Sequence, residues 1–278
     1  MRNFKSWLCA SVFNEQLIDK CIKYDADIIH YDIEDSVPDE QKERARLSLN
    51  KIFELVSEAR TGKKSALRIN SLSSTEGYLD LLYLKENEIK VDILILPKAR
   101  LVTDLQIVSD FFGAKYDIYL VIENTQALKE LRDLTSAPNN LKGVIFGAAD
   151  YALDIGMNPL KTDFKIVKTQ IVQEAARLNI NAIDSPSFEL RDEAIIKLDC
   201  AESKQVGFLG KIAVHPFQVK HINESLLVSS QELKKITQLV STDMTANSSI
   251  GRNESEMAGP PMIKYANRVL KEAAEDWE

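Results

Sequence analysis

Short β-rich apolar runs alternate with longer amphipathic segments from about residue 5 to residue 216. The apolar runs read KSWLCASV, DIIHYDIE, SALRIN, VDILILPK, DIYLVIEN, LKGVIFG, NAIDSPS and GKIAVHP. Near-continuous apolar strands that alternate with helices are typical of a parallel sheet covered by helices. Because there are eight such units, the pattern favours a closed (β/α)8 TIM barrel over an open sheet.

The segments between these runs have the spacing of amphipathic helices. In QKERARLSLNKIFELVSEAR, for example, one face can be formed by Leu47, Ile52, Leu55 and Val56. Lysine and glutamate side chains are then left to solvent. The segment is therefore predicted to be a helix that packs on the barrel through those apolar side chains.

The chain changes character after the eighth strand. FQVKHINESLL and SQELKKITQLV have helical spacing, residues 241–261 are polar and interrupted by Gly and Pro, and MIKYANRVLKEAAEDWE is helical again. We therefore predict a barrel at residues 1–227 and a C-terminal extension of helices and loop at residues 228–278. The polar stretch is interpreted as a linker or as a covering arm.

Composition limits the partners and the location of the protein. The chain has 278 residues, of which 45% are hydrophobic and 28% charged, enough for one large core. A formal net charge of −7 argues against a broad nucleic-acid or anionic-membrane surface. Three widely spaced cysteines without a CxxC pair suit a reducing compartment. No stretch has the pattern of a signal peptide or a membrane span, so we expect a soluble cytoplasmic protein.

Charged residues recur where the predicted strands end. In chain order they are Asp32, Glu34 and Asp35 after the second strand, Arg68, Lys98, Glu123, Asp150 and His215. In a parallel barrel, the carboxyl ends of the strands and the loops that follow form the active-site face. The sequence therefore gathers these groups on one rim and predicts the active site there.

The acidic residues of this rim predict a hard metal ion. Concentrated carboxylates repel one another unless a cation or a proton compensates them. Glu123 and Asp150 can supply two oxygen ligands to Mg²⁺, which accepts one or two carboxylates and keeps several waters. Glu34 and Asp35 can hold those waters or the loops that carry the ligands, and Arg68 can bind a substrate carboxylate or a developing oxyanion.

Plainer interpretations exist for each residue taken alone. An acidic residue at a strand end is often a helix cap or a solvated loop group. His215, a candidate for substrate binding, can equally be a hydrogen-bonded structural residue, and His30 lies within a strand, which favours packing over catalysis. Lys98, also a substrate-binding candidate, can simply pair with a carboxylate, and Lys42 and Arg46 fit a solvated helix face. The joint placement of so many charged groups on one rim is harder to explain in this way.

The ordered motifs YDIEDSVPDEQKERAR, LRIN, LILPK, LVIEN, VIFGAADYALDIG, NAIDSPS and GFLGKIAVHPFQ resemble a known family. From about residue 5 to residue 227 the chain is similar to the citrate lyase β-subunit-like family of the HpcH/HpaI aldolase superfamily. The resemblance implies a Mg²⁺-dependent carbon–carbon lyase on a (β/α)8 barrel, which cleaves citryl, malyl or related 3-hydroxyacyl thioesters by retro-Claisen chemistry. It also implies a homo-oligomer, often a trimer, whose C-terminal arm covers a neighbour's active site.

The resemblance also implies roles for individual residues. It assigns the metal to Glu123 and Asp150, substrate and oxyanion contact to Arg68, the metal's water shell to Glu34 and Asp35, and the phosphates of a CoA-like carrier to Lys42 and Arg46. The chain departs from the family at its "VPG" motif, here ASVF, and at Ala149, where a glutamate is common. It also has Gly259 where relatives that act on CoA esters commonly carry an arm aspartate, for which Glu254 or Glu256 can substitute.

These departures leave several functions open. A citryl- or malyl-thioester lyase competes with an aldolase acting on free oxo or hydroxy acids. An accessory subunit that binds an oxo acid without turnover and an acyl-CoA thioester hydrolase are the alternatives. The expected ligands are Mg²⁺, a small oxo or hydroxy acid and a CoA or acyl-carrier thioester.

Overall fold

A computed structural model describes residues 4–12, 20–59, 62–241, 251–253, 256–258 and 260–276. Eight parallel strands close into a barrel, in which each strand pairs with the next along the chain and the eighth pairs with the first. The strands are β1 (Ser6–Ser11), β2 (Ile28–Asp32), β3 (Lys64–Arg68), β4 (Ile93–Leu96), β5 (Asp117–Ile122), β6 (Leu141–Phe146), β7 (Asn181–Asp184) and β8 (Gly210–Ala213). The predicted (β/α)8 barrel is therefore confirmed.

Helices follow the strands and cover the outside of the barrel. They are α1 (Lys42–Ala59), α2 (Thr75–Glu86), α3 (Leu101–Phe112), α4 (Thr125–Asp133), α5 (Ala148–Asp154), α6 (Lys165–Leu178), α7 (Glu193–Val206) and α8 (Pro216–Leu226). Cap residues that follow the strands explain where some of these helices begin. Asn124, for example, accepts a hydrogen bond from the backbone N–H of Ala127 and so caps α4. No helix in the described part of the chain is long and apolar enough to cross a membrane.

The barrel interior is filled by inward-facing side chains of alternate strand positions. A buried apolar cluster is formed by Trp7, Ile28, Ala66, Ile93, Ile95, Tyr119, Val121, Ile145, Ile183 and Ile212. Since strand side chains alternate in direction, the next inward positions of β2 after Ile28 are His30 and Asp32. The interior thus changes from apolar to polar toward the carboxyl ends of the strands.

The predicted contact face of α1 is partly wrong. Leu47 and Leu55 are 59% and 38% exposed. The face that is buried consists of Lys42, Ala45, Arg46, Leu49, Ile52 and Phe53. Lys42 and Arg46 lie on the inner face because each finds hydrogen-bond acceptors there. A count of apolar residues alone therefore selects the wrong face of the helix. The interpretation of Lys42 and Arg46 as part of a solvated face is also wrong.

The chain divides into two compact units, one of which is Phe4–Asn223, and the other contains Glu224–Glu278. The second unit includes α9 (Ser230–Ser241) and α10 (Pro260–Asp276), which pack through a small apolar cluster of Ile236, Ala266 and Val269. Both helices were predicted from their spacing.

The polar stretch at 241–261 contains more regular structure than a loop. Its described part includes two short antiparallel strands, β9 (Gly251–Asn253) and β10 (Glu256–Ala258). Residues 242–250, 254–255 and 259 of this stretch lie outside the described residues. The prediction that it covers an active site stays a prediction.

Candidate active site

Asp32 and Arg68 form the fixed centre of the rim. They end β2 and β3 and are partners in the register of these strands. Arg68 donates from Nε to Asp32 Oδ1 at 2.8 Å and from Nη2 to Oδ2 at 2.7 Å. Burial acts to raise the pKa of Asp32, but the hydrogen bonds from Arg68 outweigh it and hold that pKa well below its usual range. Asp32 is thus a permanent anion that orients the guanidinium, leaving Nη1 to face the next residues along the chain.

Glu34 and Asp35 form ion pairs with Arg68 and Lys98. Nη1 of Arg68 lies 3.2 Å from Glu34 Oε2 and 3.7 Å from Asp35 Oδ2. Nζ of Lys98 lies 2.6 Å from Glu34 Oε1 and 3.1 Å from Asp35 Oδ1. Burial raises the pKa of Glu34 despite these cations, and its Oε2 makes no aligned hydrogen bond within the described residues. Glu34 is buried, whereas Asp35 is half exposed.

Glu123 follows β5. It is buried like Glu34, but it lacks the close ion pairs with Arg68 and Lys98 that Glu34 makes. Its Oε1 accepts a short hydrogen bond from the backbone N–H of Lys98, a residue whose φ of 49° lies in the left-handed region. Such strain is common at functional sites. Burial, together with the neighbouring carboxylates Glu34 and Asp150, raises the pKa of Glu123 to about 8, against the opposing effects of the Lys98 N–H and Arg68. The surroundings of Glu123 therefore carry surplus negative charge.

Gly147 gives this side chain its space. A Cβ at residue 147 would lie 2.5 Å from Cβ of Glu123 and 3.1 Å from its Oε2, closer than packed atoms allow. Immediately after this glycine, α5 begins and carries Asp150 in its first turn. The sequence GAAD thus brings a second carboxylate to the side of the barrel where the glutamate lies.

The two carboxylates share one cavity of about 220 Å³. Its polar lining includes Asp35, Arg68, Glu123 and Asp150, and the rest of its wall includes Cys9, His30, Val121, Ile145, Ile212, Ser185, Pro186 and Phe188. The structure thus brings Glu123, Asp150 and Arg68 to one cavity, and their roles as metal ligands and substrate-binding arginine stay predictions. A ligand in the cavity would contact charged groups near the mouth and mostly apolar groups below them.

This donor set fits a hard divalent cation. Across the described ranges, no group of three or more His, Cys, Asp or Glu side chains forms a complete metal site. Mg²⁺ does not need one, because it is commonly held by one or two carboxylates together with waters and substrate oxygens. Glu123 has a raised pKa, and Gly147 leaves space beside its Oε2. Both features fit a site that binds a cation.

Lys42 and Arg46 do not line this cavity. Lys42 Nζ donates to the backbone oxygens of Ile33 at 3.2 Å and Glu34 at 2.6 Å. Arg46 Nε donates to Asp80 Oδ1 at 2.7 Å, and its Nη2 makes a short ion pair with Glu76. Their contact with CoA phosphates stays a prediction, and a phosphate would have to compete with these acceptors.

His215 and Lys98 differ in how much they are engaged. His215, after β8, is half buried; its Nδ1 accepts from the N–H of Phe217 at 3.2 Å, and it does not line the cavity. Lys98 is tied to Glu34 and Asp35, and this pairing raises its pKa although burial acts in the opposite direction. Substrate binding by either residue stays a prediction.

Three C-terminal residues concern the proton-transfer base: Glu254, Glu256 and Gly259. Glu254 and Gly259 lie outside the described residues. Ala149, where relatives often have glutamate, is exposed in the first turn of α5 and lines the cavity. Its small side chain leaves that part of the mouth open.

The structure contains a second buried cluster of charged side chains that the sequence analysis does not predict. Asp184 ends β7, and its Oδ2 lies 2.9 Å from Nζ of Lys211 and 3.2 Å from Nζ of Lys168. Burial acts to raise the pKa of Asp184, but the two lysines outweigh it and lower the pKa. In the sequence, Asp32 is likewise one charge of a short acidic run. The period-two pattern that buries Ile28 would have placed it inside the barrel.

These features define a class of protein: a (β/α)8 barrel with a small acid-rimmed cavity at the carboxyl ends of its strands. Among protein-family profiles, the one described as HpcH/HpaI aldolase/citrate lyase matches residues 5–216. The chain belongs to this family.

Known members and solved structures extend the comparison. The chain is 25% identical over 234 residues to a (3S)-malyl-CoA thioesterase of Cereibacter sphaeroides, covering 83% of this chain and 80% of the relative. It is 26% identical over 280 residues to the human mitochondrial citramalyl-CoA lyase, covering 92% of this chain and 82% of the relative. The structure of CitE from Mycobacterium tuberculosis in complex with magnesium, acetoacetate and coenzyme A superposes with a TM-score of 0.82 at 20% identity, covering 97% and 98% of the two chains.

Proposed function

We propose that the protein is a Mg²⁺-dependent carbon–carbon lyase of the citrate lyase β-like type. Its substrates would be malyl-, citramalyl- or related 3-hydroxyacyl thioesters, cleaved to an oxo acid and an acyl thioester. The observation that carries this proposal is the buried, under-compensated Glu123, which shares one small cavity with Asp150 and with the pre-oriented Arg68. Family membership supports it, as do a citramalyl-CoA lyase among the relatives and magnesium in a similar structure.

In this proposal the metal is held by Glu123 and Asp150. When bound there, Mg²⁺ supplies a positive charge that stabilises negative charge developing on a substrate oxygen. Arg68 adds hydrogen bonds to the same developing charge, and Asp32 holds the guanidinium in place so that little reorganisation is needed. Glu34 Oε2 lies near Arg68 Nη1 but accepts no aligned hydrogen bond from the described residues, so it can accept one from water or a substrate hydroxyl at the mouth.

Cleavage of a 3-hydroxyacyl thioester needs one proton to leave and one to arrive. A base takes the hydroxyl proton, the carbon–carbon bond breaks, the oxygen-bearing fragment becomes the oxo acid, and the other fragment becomes a thioester enolate that takes up a proton. Asp35 is our candidate base, because this carboxylate both lines the cavity and is half exposed to solvent, with which it can exchange the proton.

A thioester hydrolase is the second candidate. One relative is a (3S)-malyl-CoA thioesterase, and the open mouth beside Ala149 would admit water next to the reacting thioester. In that reaction water attacks the thioester carbonyl carbon, the carbon–sulfur bond breaks, and the products are a hydroxy acid and free CoA. The carbon–carbon bond stays intact, so the products distinguish the two reactions.

The test is a product assay with malyl-CoA and citramalyl-CoA in the presence of Mg²⁺. A lyase yields acetyl-CoA together with glyoxylate or pyruvate, whereas a hydrolase yields free CoA and a hydroxy acid. We expect acetyl-CoA and the oxo acid, and loss of both in Glu123→Gln. Free CoA as the only thiol product would instead support the hydrolase. No turnover of either thioester, with intact binding of oxo acids, would leave an accessory binding protein.

Assembly and location belong to the same proposal. We expect a homo-oligomer, with a trimer as the specific prediction, and a cytoplasmic location. Cys9, Cys21 and Cys200 form no disulfide bond in the described part of the chain, which fits a reducing compartment. Light scattering of the purified protein measures its mass directly, and a monomer at micromolar concentration would contradict the trimer.

A further inference from the structure

His30 is a buried histidine at the floor of the cavity, and its ring neither accepts a hydrogen bond from the described residues nor donates one to them. It lies in the middle of β2, between Cys9 of β1 and Ala66 of β3 in the strand register. Its side chain is 5% exposed and lines the cavity that also contains Glu123 and Arg68. Neither Nδ1 nor Nε2 has a hydrogen-bond partner within the described residues.

This environment is unfavourable for an imidazole. Its neighbours in the cavity wall include the apolar side chains of Val121, Ile145 and Ile212. A buried polar group without a hydrogen bond lowers the stability of the folded state, whereas a leucine or isoleucine would fit such a wall without that penalty. The histidine is therefore explained by a partner that enters the cavity from outside the chain.

The imidazole is neutral in this position. Burial, together with the charge of Arg68, lowers the pKa of His30 to about 3, and Asp32 opposes this shift. A neutral imidazole has one N–H donor and one nitrogen acceptor, which suits an uncharged hydroxyl or carbonyl group. A second carboxylate on the same part of the substrate would be buried against an apolar wall and a neutral ring, without a cation of its own.

We propose that His30 is a specificity-determining residue that hydrogen-bonds an uncharged oxygen of the substrate's oxo-acid portion. This inference rests on the proposed function, in which the oxo acid occupies the cavity above His30. It adds a substrate class: an oxo acid that carries a hydroxyl or carbonyl group on the carbon beyond its keto group, in preference to one that ends in a methyl group.

Pyruvate and 3-hydroxypyruvate test this directly, because they differ by one hydroxyl group. Binding of each acid to the Mg²⁺-loaded protein is measured by calorimetry. A site built around a hydrogen bond rejects an analogue that lacks the group, so 3-hydroxypyruvate is expected to bind wild type about tenfold tighter than pyruvate. His30→Leu, which keeps the volume but removes both nitrogens, is expected to bring the two affinities within about twofold of each other.

Two conservative variants identify the nitrogen involved. His30→Asn retains a polar atom near Nδ1, and His30→Gln retains one near Nε2, so only one of them should keep part of the preference. His221→Leu is the matched control. His221 is also buried and has an unpartnered Nδ1 among the described residues, but it does not line the cavity. This control is expected to keep the full preference.

The unfolding temperature of the ligand-free protein separates this role from a purely structural one. If His30 only stabilised the fold, His30→Leu would unfold at a lower temperature than wild type. If His30 awaits a ligand, His30→Leu unfolds at a temperature equal to or higher than wild type does. Equal affinities of wild type for the two acids, or a preference that survives in His30→Leu, would overturn the role of His30. Failure of wild type to bind either acid with Mg²⁺ would instead contradict the proposed function itself.

Discussion

Asp184 and Glu123 are carboxylates buried at the carboxyl ends of two strands of one barrel, and their surroundings are opposite. Asp184 is held by two lysine ammonium groups and by the hydroxyl of Ser203. Among the described residues, Glu123 accepts a hydrogen bond from the backbone N–H of Lys98, and two further carboxylates, Glu34 and Asp150, act to raise its pKa. The pKa of Asp184 is lowered in spite of burial, whereas that of Glu123 is raised to about 8 by burial first.

The difference separates structural charge from functional charge. Both side chains are almost completely removed from solvent, so burial alone does not distinguish them. The partners do: the Asp184 cluster is complete within the chain, while the charge around Glu123 is balanced only when a cation or a proton is added. The two carboxylates should therefore respond differently to substitution, to pH and to Mg²⁺.

The largest effect is expected for Glu123→Gln. The amide keeps the shape but cannot carry the negative charge that a metal ligand needs, so kcat/KM should fall by about 10³-fold or more. Steady-state assays with malyl-CoA over a range of Mg²⁺ concentrations measure this. Glu193→Gln removes an exposed carboxylate of α7 that pairs with Lys197 and serves as the control. Wild-type activity in Glu123→Gln would show that its charge has no part in the reaction.

Asp184→Asn should act on stability instead. It leaves Lys168 and Lys211 buried without their shared anion, and removing one partner of a buried ion pair costs about 3–5 kcal/mol. Urea denaturation of the metal-free protein measures the free energy of unfolding. The affinity of the folded variant for Mg²⁺ should change by less than about threefold. A stable variant with impaired Mg²⁺ binding would reverse the assignment of the two clusters.

The pH dependence of stability should differ in sign between the two carboxylates. Glu123, whose folded pKa of about 8 exceeds its unfolded value, keeps a proton that the unfolded chain loses, so its contribution falls as pH rises from about 4.5 to 8. Asp184, whose pKa is lowered, contributes above its unfolded pKa and loses that contribution only in acid, below about pH 4.

Metal-free wild type should therefore lose on the order of 2–4 kcal/mol relative to Glu123→Gln between pH 5 and pH 8. Added Mg²⁺ should remove this difference, because the cation compensates the charge. Parallel pH profiles of the two proteins without metal would contradict the raised pKa of Glu123.

A smaller effect is expected for Gly147→Ala. The backbone of Gly147 has a φ of −95°, which alanine adopts without strain, but the added Cβ would press on Cβ of Glu123. The carboxylate is then displaced, and Mg²⁺ affinity should fall by about tenfold. Calorimetric titration with Mg²⁺ measures this. Unchanged affinity would mean that the position of Glu123 tolerates movement.

The fold was predictable because its signal is carried by the regular alternation of strands and helices. All eight predicted strands are present, in order, in the closed barrel. The rim followed from the rule that parallel strands point their carboxyl ends the same way, which brought Arg68, Glu123 and Asp150 into one cavity. These inferences need only chain direction and period.

What the sequence did not provide is the pairing of charges. It did not distinguish Asp32, which holds Arg68, from the neighbouring Glu34, since both are acidic residues in one short run. Nor did it indicate that Lys42 and Arg46 face inward, because their partners are backbone oxygens and the carboxylate of Asp80, distant in sequence. Such contacts depend on the distances between side chains of different elements.

The most direct test of a metal-dependent oxo-acid site is calorimetric titration of chelator-stripped protein with pyruvate, with and without Mg²⁺, in wild type and in Glu123→Gln. We expect wild type to bind the acid only when Mg²⁺ is present, and the variant not to bind it under either condition. Binding that is indifferent to Mg²⁺, or that survives in Glu123→Gln, would contradict the assignment of this cavity as the metal and substrate site.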